Sequence, residues 1–269
     1  MTALTPSPPS ILVLTRPLAQ AADWLQRLAV VGVTATSLPL IEIVAADGQA
    51  ADLAWQDLPA AGLAMFVSPN AVQQFFASRP AGQGWPARTL AACVGPGSAR
   101  ALLAAGVPAE QIVQPPANSA SLDSEHLWPQ LSHLSWTGQR VLMLRGGGGR
   151  EWLADRLREG GAEVRFYSVY QRRCPQLDAV DRALLDAVLA EPGRYVWLFS
   201  SAEAIGYLQQ LVPAGQDWSG KRCIATHERI AERARLLGLG RVVLTRPSAA
   251  AVAQALHTMQ GSPLQSFSL

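Results

Sequence analysis

The sequence repeats one series of segments, and the second copy begins about 130 residues after the first. Residues 11–43 read as an apolar run, an Arg-Pro pair, an amphipathic stretch closed by Gly, and a second apolar run; residues 141–171 repeat this, with Arg-Gly at the second step. Two more pairs follow in the same order: residues 64–76 with 196–208, and residues 92–107 with 223–239. This order predicts a duplicated α/β unit. Two such units predict a ligand cleft between them.

The composition fits two ordinary globular domains. A chain of 269 residues with 49% apolar and 16% charged residues can bury two cores and carries too little charge for a disordered protein. The net charge of +2 argues against a nucleic-acid binder, which needs a broad basic face. Lys221 is the only lysine among the 22 basic residues, and the arginines could bind anionic ligands through their planar forks.

Several sequence features bear on the compartment and on metals. Residues 1–10 are rich in Pro and Ser and lack both a positive charge and an apolar core, so they are interpreted as a leader and not as a signal peptide. No apolar stretch approaches the length of a membrane span. The three cysteines and four histidines show no metal-ligand spacing. We therefore predict a cytoplasmic protein without a metal site and without membrane contact.

Short apolar runs alternate with amphipathic stretches along both copies. Residues 11–15 predict a strand, and residues 18–31 predict a helix that ends at Gly32; residues 141–144 and 151–159 predict the same pair in the second copy. This alternation is typical of parallel sheets covered by helices on both faces. Residues 45–58, 115–121 and 172–178 are predicted linkers. The periodicity leaves open whether each copy folds on itself or exchanges its first strand, helix and strand with the other.

A Gly-rich loop, LRGGGGRE at residues 144–151, lies between a predicted strand and a predicted helix. Its backbone N–H groups, Gly147 among them, would face outward at a helix N-terminus and bind an anion. Arg145 and Arg150 flank the loop, and Arg16 is a similar candidate in the first copy. The loop lacks the dinucleotide and P-loop patterns, so a nucleotide site is disfavoured. The alternative is a tight turn that merely needs glycines.

Polar residues follow the next predicted strands of both copies. Ser68, Asn70, Ser200 and Ser201 could cap the helices that begin there, and the turns at residues 95–98 and 226–228 occupy the corresponding third positions. Helix capping alone would explain any one of these polar residues. Their recurrence after several strands predicts a ligand-binding edge at the carboxyl ends of the strands. Tyr170 ends another predicted strand; it is either a packing residue or a proton donor.

These motifs together resemble one known family. LTRP at the start, FVSPNAV, VGPGSARAL, LRGGGGRE, GAEVRFYSVYQR and THERIAE occur in the order typical of uroporphyrinogen-III synthases of the proteobacterial type. The resemblance spans residues 11–256. It implies two flavodoxin-like α/β domains, each a parallel sheet flanked by helices, joined by two extended linkers around a cleft. It also implies that residues 1–44 join residues 173–269 in a discontinuous domain, with residues 45–172 as the inserted domain.

The resemblance implies an activity as well. The family converts the linear tetrapyrrole hydroxymethylbilane to uroporphyrinogen III, with loss of water and inversion of the terminal ring, and uses no cofactor or metal. The chain would be a hydro-lyase of heme biosynthesis, monomeric, with transient contact to hydroxymethylbilane synthase as one expectation. By family position Tyr170 would assist the departure of the hydroxyl group. The substrate-binding residues implied by position are Ser68, Ser98, Ser200, Lys221 and His227, although relatives often have Thr in place of Ser98 and His227.

A function of another class remains open on the sequence alone. A non-catalytic two-domain binding protein that closes on an anionic small molecule could use the same loops and the same cleft. The absence of a signal peptide argues against an exported binding protein, and no output domain is recognisable.

Overall fold

The structure, a computed structural model, describes residues 10–116, 118, 119, 121–148 and 151–260. The predicted leader before Ser10 and the predicted anion-binding residue Arg150 lie outside the described residues. The described chain forms two compact units. Unit 1 contains the residues up to Glu42 and those from Arg173 onward, and unit 2 runs from Ile43 to Arg172.

Unit 1 contains a parallel five-stranded sheet with the strand order β12-β11-β10-β1-β2. Its strands are β1 (Ile11–Leu14), β2 (Ala35–Ser37), β10 (Tyr195–Phe199), β11 (Arg222–Ala225) and β12 (Arg241–Leu244). Its helices are α1 (Leu18–Val30), α7 (Ala179–Ala190), α8 (Ala202–Leu211), α9 (Glu228–Leu237) and α10 (Ala249–Gln260).

Unit 2 contains a second parallel five-stranded sheet, with the strand order β6-β5-β4-β7-β8. Its strands are β4 (Ala61–Phe66), β5 (Leu90–Cys93), β6 (Ile112–Val113), β7 (Arg140–Arg145) and β8 (Glu163–Ser168). Its helices are α2 (Ala50–Asp57), α3 (Pro69–Ala77), α4 (Pro96–Ala104), α5 (Ser124–Leu131) and α6 (Trp152–Glu159). The predicted fold class, parallel sheets flanked by helices, is confirmed.

The first blocks of the two repeats are exchanged between the sheets. In unit 1, β1 from the first repeat pairs with β10 from the second, with Leu12 opposite Val196. In unit 2, β7 from the second repeat pairs with β4 from the first, with Leu142 opposite Ala64. Counted from the exchanged strands, both sheets have the flavodoxin order 2-1-3-4-5, whose switch point is a preferred ligand position. The chain passes between the units through β3 (Glu42–Ala45) and β9 (Tyr170–Arg173), which pair with each other.

Alternating apolar residues give the sheet of unit 2 two buried faces. Leu142 and Leu144 of β7 belong to a core that includes Trp55 and Phe75. Val141 and Met143, which point the other way, pack into a second core with α5 and α6. A continuous apolar strand buried on both faces is what a parallel sheet between helices requires.

One predicted linker is partly helical. Residues 50–57, inside the predicted linker 45–58, form α2, and Trp55 of this helix is fully buried and donates its Nε1–H to the Phe75 carbonyl at 2.8 Å. Asp57 at the end of α2 accepts hydrogen bonds from Arg140 and Arg165, at 3.1 and 2.6 Å, and from the Tyr167 hydroxyl. Burial raises the pKa of Asp57, but these three neighbours outweigh it and hold the pKa below its ordinary value. The linker prediction was therefore wrong for α2.

None of the helices in the described part of the chain has the length and apolar composition that crossing a membrane requires.

Candidate functional site

Residues that follow the strands meet at the carboxyl edge of each sheet. In unit 2 the structure places Ser68, Ser98, Arg145, Gly147 and Tyr170 at this edge, after or near the ends of β4, β5, β7 and β8. In unit 1 it places Arg16, Ser200 and His227 at the edge, after β1, β10 and β11. These loops include the switch point of each sheet, where α/β proteins of this order bind ligands.

Tyr170 is the most constrained of the predicted residues. Its side chain is 1% exposed, and its ring belongs to the core that contains Phe66 and Leu144. Its hydroxyl lies 3.2 Å from the Ser68 hydroxyl, and Arg172 donates an Nη2–H to it at 3.2 Å. The ring of Tyr170 is therefore a packed core side chain that carries a hydrogen-bonded hydroxyl group, and its role as a proton donor stays a prediction.

Ser68 holds its own hydroxyl in place by capping a helix. It is the N-cap of α3, and its Oγ accepts the Ala71 N–H at 3.2 Å. Pro69 follows as the first helical residue, which favours a helix start there. The local sequence Ser-Pro-Asn thus fixes the position of the group that contacts Tyr170.

Gly146 leaves the space that the Tyr170 ring occupies. A Cβ atom at residue 146 would lie 2.7 Å from both Cε2 and Cζ of Tyr170, which is closer than carbon atoms can approach. At Gly147 a Cβ atom would meet no heavy atom within 4 Å, and Gly148 adopts a positive φ of 72°. The glycines of this loop thus have different roles, which the sequence did not separate.

Arg145, at the end of β7, is already engaged within the chain. Nη1 and Nη2 each lie 3.3 Å from Oε1 of Glu151, the N-cap residue of α6. The guanidinium carbon lies 4.0 Å from the ring centre of Phe166. An anionic ligand would have to compete with the Glu151 carboxylate for this fork, so Arg145 is a weaker candidate than the sequence predicted.

Arg16 lies two residues beyond β1, whereas Arg145 is the last residue of β7, and the described residues give Arg16 no such acidic partner. Its guanidinium carbon lies 4.3 Å from the ring centre of Trp24, and among the described residues it makes no salt bridge and its Nε has no hydrogen-bond partner. Burial lowers the pKa of Arg16 to about 10, and the Asp23 carboxylate opposes this shift. A partly desolvated cation of this kind gains from an anionic partner.

The two serines after β10 differ in role. Ser201 is the N-cap of α8 and accepts the Glu203 N–H at 3.2 Å, whereas Ser200 lies one residue before the cap and is partly buried. Ser201 therefore corresponds to Ser68, since both lie two residues beyond the end of their strand. The ungapped pairing of residues 64–76 with 196–208 instead aligns Ser68 with Ser200, so the sequence repeat points to the neighbouring serine and not to the cap.

His227 and Ser98 lie at helix starts. His227 is an exposed N-cap of α9, and its Nδ1 accepts the Arg229 N–H at 3.2 Å. Ser98 is 3% exposed and is the third residue of α4, whose N-cap is Gly95. His227 thus presents its ring at the edge of unit 1, while Ser98 lies beneath the edge of unit 2.

Lys221 does not lie with the other predicted residues. It directly precedes β11, so it lies at the amino edge of the sheet, opposite the edge that carries His227. It is 7% exposed, and its Nζ donates to the Asp217 carbonyl at 2.7 Å and lies 5.7 Å from the Trp218 ring centre. The structure therefore gives Lys221 a packing role and does not bring it together with Ser200 and His227.

Comparison with known proteins decides the family. The family model described as uroporphyrinogen-III synthase HemD matches residues 22–254. The chain is 31% identical over 239 residues to the uroporphyrinogen-III synthase of Salmonella typhimurium, covering 84% of this chain and 91% of that protein. It is 32% identical over 240 residues to that of Escherichia coli, covering 85% and 92%.

The chain belongs to the uroporphyrinogen-III synthase family. This confirms the predicted family and enzyme class, and the alternative of a non-catalytic binding protein is not favoured.

Solved structures of the family share the fold. A uroporphyrinogen III synthase mutant from Thermus thermophilus matches with a TM-score of 0.54 at 17% identity, covering 94% of this chain and all of that chain. The synthetase from Helicobacter pylori matches with a TM-score of 0.57 at 14% identity, covering 93% and 99%. At such identities the match concerns the architecture only.

Two of the three cysteines are core residues, and the described residues form no metal-binding group. Among the described residues, no group of three or more His, Cys, Asp and Glu side chains is placed to hold a metal ion. Cys93 and Cys223 are fully buried, and burial raises the pKa of their thiols, to about 11 and about 12. Protonated, buried thiols of this kind are inert core residues.

Proposed function

We propose that this chain closes hydroxymethylbilane into uroporphyrinogen III, with loss of water and inversion of the terminal ring, and that Tyr170 supplies the proton for the departing hydroxyl group. Membership of the family supports the reaction, and the substrate of a synthase of this family is a tetrapyrrole. The observation that carries the role of Tyr170 is its hydrogen-bonded hydroxyl at the carboxyl edge of unit 2, 3.2 Å from Ser68.

The chemistry requires an acid at one oxygen atom. When the C–O bond of the hydroxymethyl group breaks, its electron pair leaves with the oxygen, and an azafulvenium cation remains. A proton donated to that oxygen turns a poor leaving group into water. Because the net reaction loses only water, the ring closure that follows releases one proton, which can restore the Tyr170 hydroxyl.

The remaining task is to hold a flexible, anionic chain in a geometry in which its ends meet. The helix N-termini of α3, α8 and α9 point their free N–H groups toward the carboxyl edges and favour carboxylates. Arg16 adds a cation without a salt-bridge partner among the described residues. We assign substrate binding to Arg16, Ser68, Gly147, Ser200 and His227, with Arg145 and Ser98 in lesser roles.

Other expectations from the sequence stay predictions. They are a monomeric state, a cytoplasmic location, transient contact with hydroxymethylbilane synthase and a ligand cleft. The strongest support for them is the family assignment itself.

An isomer assay tests the proposed function. Freshly made hydroxymethylbilane is incubated with the purified chain, the products are oxidised, and the uroporphyrin isomers are separated. We expect isomer III to dominate, because the proposed reaction inverts the terminal ring. Spontaneous closure proceeds without this inversion and gives isomer I. Formation of isomer I alone, at the rate seen without protein, would contradict the proposal and favour a binding protein.

A further inference from the structure

We propose that Arg172 is a positioning residue for this reaction, and that it acts through the Tyr170 hydroxyl. It would polarise the O–H bond of Tyr170 and would stabilise the negative charge that remains on the phenolic oxygen. The inference rests on the proposed function, and it adds a residue that the sequence did not single out.

The geometry places a cation directly at the phenolic oxygen. Arg172 donates an Nη2–H to the Tyr170 hydroxyl at 3.2 Å, and its guanidinium carbon lies 5.6 Å from the ring centre. The two residues are two positions apart in β9, so their side chains leave the strand on the same face. Arg172 is exposed whereas Tyr170 is 1% exposed, so the guanidinium lies on the solvent side of a fixed ring.

The contact with Arg172 restricts what the Tyr170 hydroxyl can donate to. A guanidinium carries only donors, so the Tyr170 oxygen must accept from Arg172 and cannot donate to it. The Ser68 oxygen likewise accepts from the Ala71 N–H at 3.2 Å. The Tyr170 proton can therefore be donated only to Ser68 or to a group outside these residues.

Counting the donors leaves one proton for the substrate. The Tyr170 and Ser68 hydroxyls lie 3.2 Å apart, and one of their two protons is used between them. If Ser68 donates to Tyr170, the phenolic oxygen accepts from both Ser68 and Arg172, and its own proton is free for the leaving oxygen of the substrate. Arg172 donates to the phenolic oxygen in either arrangement, and a substrate oxygen that accepts the Tyr170 proton selects the one in which Ser68 donates to Tyr170.

The same contact helps after the proton has moved. The proton passes from the Tyr170 hydroxyl to the substrate oxygen, the C–O bond breaks and water leaves, so the phenolic oxygen carries a negative charge. A positive group already placed at that oxygen stabilises the charge as it develops, without reorganisation. When ring closure releases a proton, the phenolic oxygen takes it back, and Arg172 keeps its own protons throughout.

An exposed arginine near an anionic substrate has an obvious alternative role, which is to bind one of the carboxylates. The two roles affect different kinetic constants. A residue that acts through Tyr170 changes kcat and loses its effect when the Tyr170 hydroxyl is absent, whereas a carboxylate-binding residue changes KM whether or not that hydroxyl is present.

The test is a double-mutant cycle on the full-length chain with hydroxymethylbilane as substrate. Its variants are Arg172→Met, Tyr170→Phe, their combination, and Arg172→Lys as the conservative replacement. We expect Arg172→Met to lower kcat about tenfold with KM within about twofold, and Arg172→Lys to recover most of that loss. In the Tyr170→Phe background, Arg172→Met should change kcat less than about twofold.

Arg173→Met is the matched control. Its guanidinium donates to both carboxylate oxygens of Glu42 at 2.8 Å, so it is the adjacent arginine with a different partner. We expect this variant to keep kcat within about twofold, because the pair does not touch the Tyr170 hydroxyl. A tenfold loss in Arg173→Met would overturn the inference, since it would show a general effect of charge or of β9.

Three further results would contradict the inference. The first is a rise in KM with kcat unchanged in Arg172→Met, and the second is a full tenfold loss in the Tyr170→Phe background. The third is a Lys variant as slow as the Met variant although both unfold at the wild-type temperature. These outcomes leave isomer III formation by the wild-type chain intact, whereas a wild-type chain without isomer III would overturn the proposed function together with this inference.

Discussion

Arg16 and Arg145 follow corresponding strands of the two units, and each guanidinium lies against an aromatic ring, 4.3 Å from Trp24 and 4.0 Å from Phe166. Arg145 also donates to the Glu151 carboxylate at 3.3 Å. Arg16 makes no salt bridge among the described residues. Each repeat thus carries an arginine near the end of its first strand, offset by one residue, and of these two only Arg16 lacks a carboxylate partner among the described residues.

In the loops that follow β4 and β10, it is unit 2 that carries the additional polar contact. Ser68 and Ser201 cap α3 and α8 in the same way, but only Ser68 also lies 3.2 Å from a phenolic hydroxyl. The chain leads from unit 1 into β3 through Leu40 and Ile41, whose apolar side chains are buried. The first residue of β9, by contrast, is Tyr170. Among the described residues, the edge of unit 2 places a capping serine beside a phenolic hydroxyl, and the caps of unit 1 have no such neighbour.

The two units thus share a backbone frame and differ in the chemistry of the side chains at their edges. Strand order agrees between the units, and so do the cap positions of α3 with α8 and of α4 with α9. We expect unit 2 to supply the proton and unit 1 to contribute more of the charge that binds the substrate.

The largest expected effect is at Tyr170. Tyr170→Phe removes the hydroxyl but keeps the packed ring, so we expect kcat to fall about 100-fold with little change in KM or in unfolding temperature. The measurement is steady-state formation of isomer III. Tyr167→Phe is the control, since this tyrosine bonds to Asp57, and it should keep kcat. Equal activity of Tyr170→Phe and the wild-type chain would remove the proton donor from unit 2.

A methyl group in the Gly-rich loop should displace the same hydroxyl. Gly146→Ala brings a Cβ atom to 2.7 Å from the Tyr170 ring, so we expect the ring to shift and kcat to fall about tenfold or more. Gly147→Ala has open space and keeps its amide N–H, so its kcat should stay within about twofold. If both variants lose activity equally, the loop as a whole matters, and not its contact with Tyr170.

The two arginines should differ in substrate affinity. We expect Arg16→Met to raise KM about tenfold at unchanged kcat, because it removes a cation without a competing carboxylate. Arg145→Met should raise KM less than about twofold, because Glu151 already occupies that guanidinium. Steady-state kinetics at low salt measures both variants. A larger rise in KM for Arg145→Met would reverse the comparison.

The smallest effect separates capping from catalysis. Ser201→Ala should lower the free energy of unfolding by about 1 kcal/mol, whereas Ser200→Ala should change it by less than about 0.5 kcal/mol, since Ser201 is the N-cap. Urea unfolding followed by circular dichroism measures the difference. Ser68→Ala should show a similar loss of stability together with a lower kcat. Equal stability of the two unit 1 variants would show that the cap contributes little.

Much of the fold could be predicted because the strands and helices are signalled locally. Helix α1 begins after Pro17, buries Trp24 and Leu28 on one face and ends before Gly32, as the periodicity indicated. The exchange of the first blocks could not be derived in this way, because β1 would satisfy its hydrogen bonds equally well in either sheet. Only the family resemblance implied it.

The errors in the sequence-based interpretation have local causes. Helix α2 is short, only three of its eight residues are Ala, and it follows the Asp47-Gly48 turn, so its sequence resembles a linker; the burial of Trp55 and the bonds of Asp57 show why it is ordered. Lys221 was placed at the site by family position. Its place directly before an apolar strand already indicated the amino edge, since all neighbouring strands are parallel.

The candidate site was predictable as a set of loops but not as a set of contacts. The sequence indicated that Ser68, Tyr170 and the Gly-rich loop follow strands, and parallel strands bring such loops to one edge. It could not show that Arg172 and Ser68 meet the same hydroxyl, or that Gly146 and not Gly147 faces the ring. Those contacts depend on the register between β4, β7 and β8.

The division of labour between the two edges is tested most directly by kcat and KM of the double variant Tyr170→Phe/Arg16→Met, measured beside its two single variants. If unit 2 supplies the proton and Arg16 binds an anionic group, the double variant should combine the lowered kcat of one with the raised KM of the other, and the losses in kcat/KM should multiply. A double variant no worse than Tyr170→Phe alone, or a fall in kcat caused by Arg16→Met, would contradict the account.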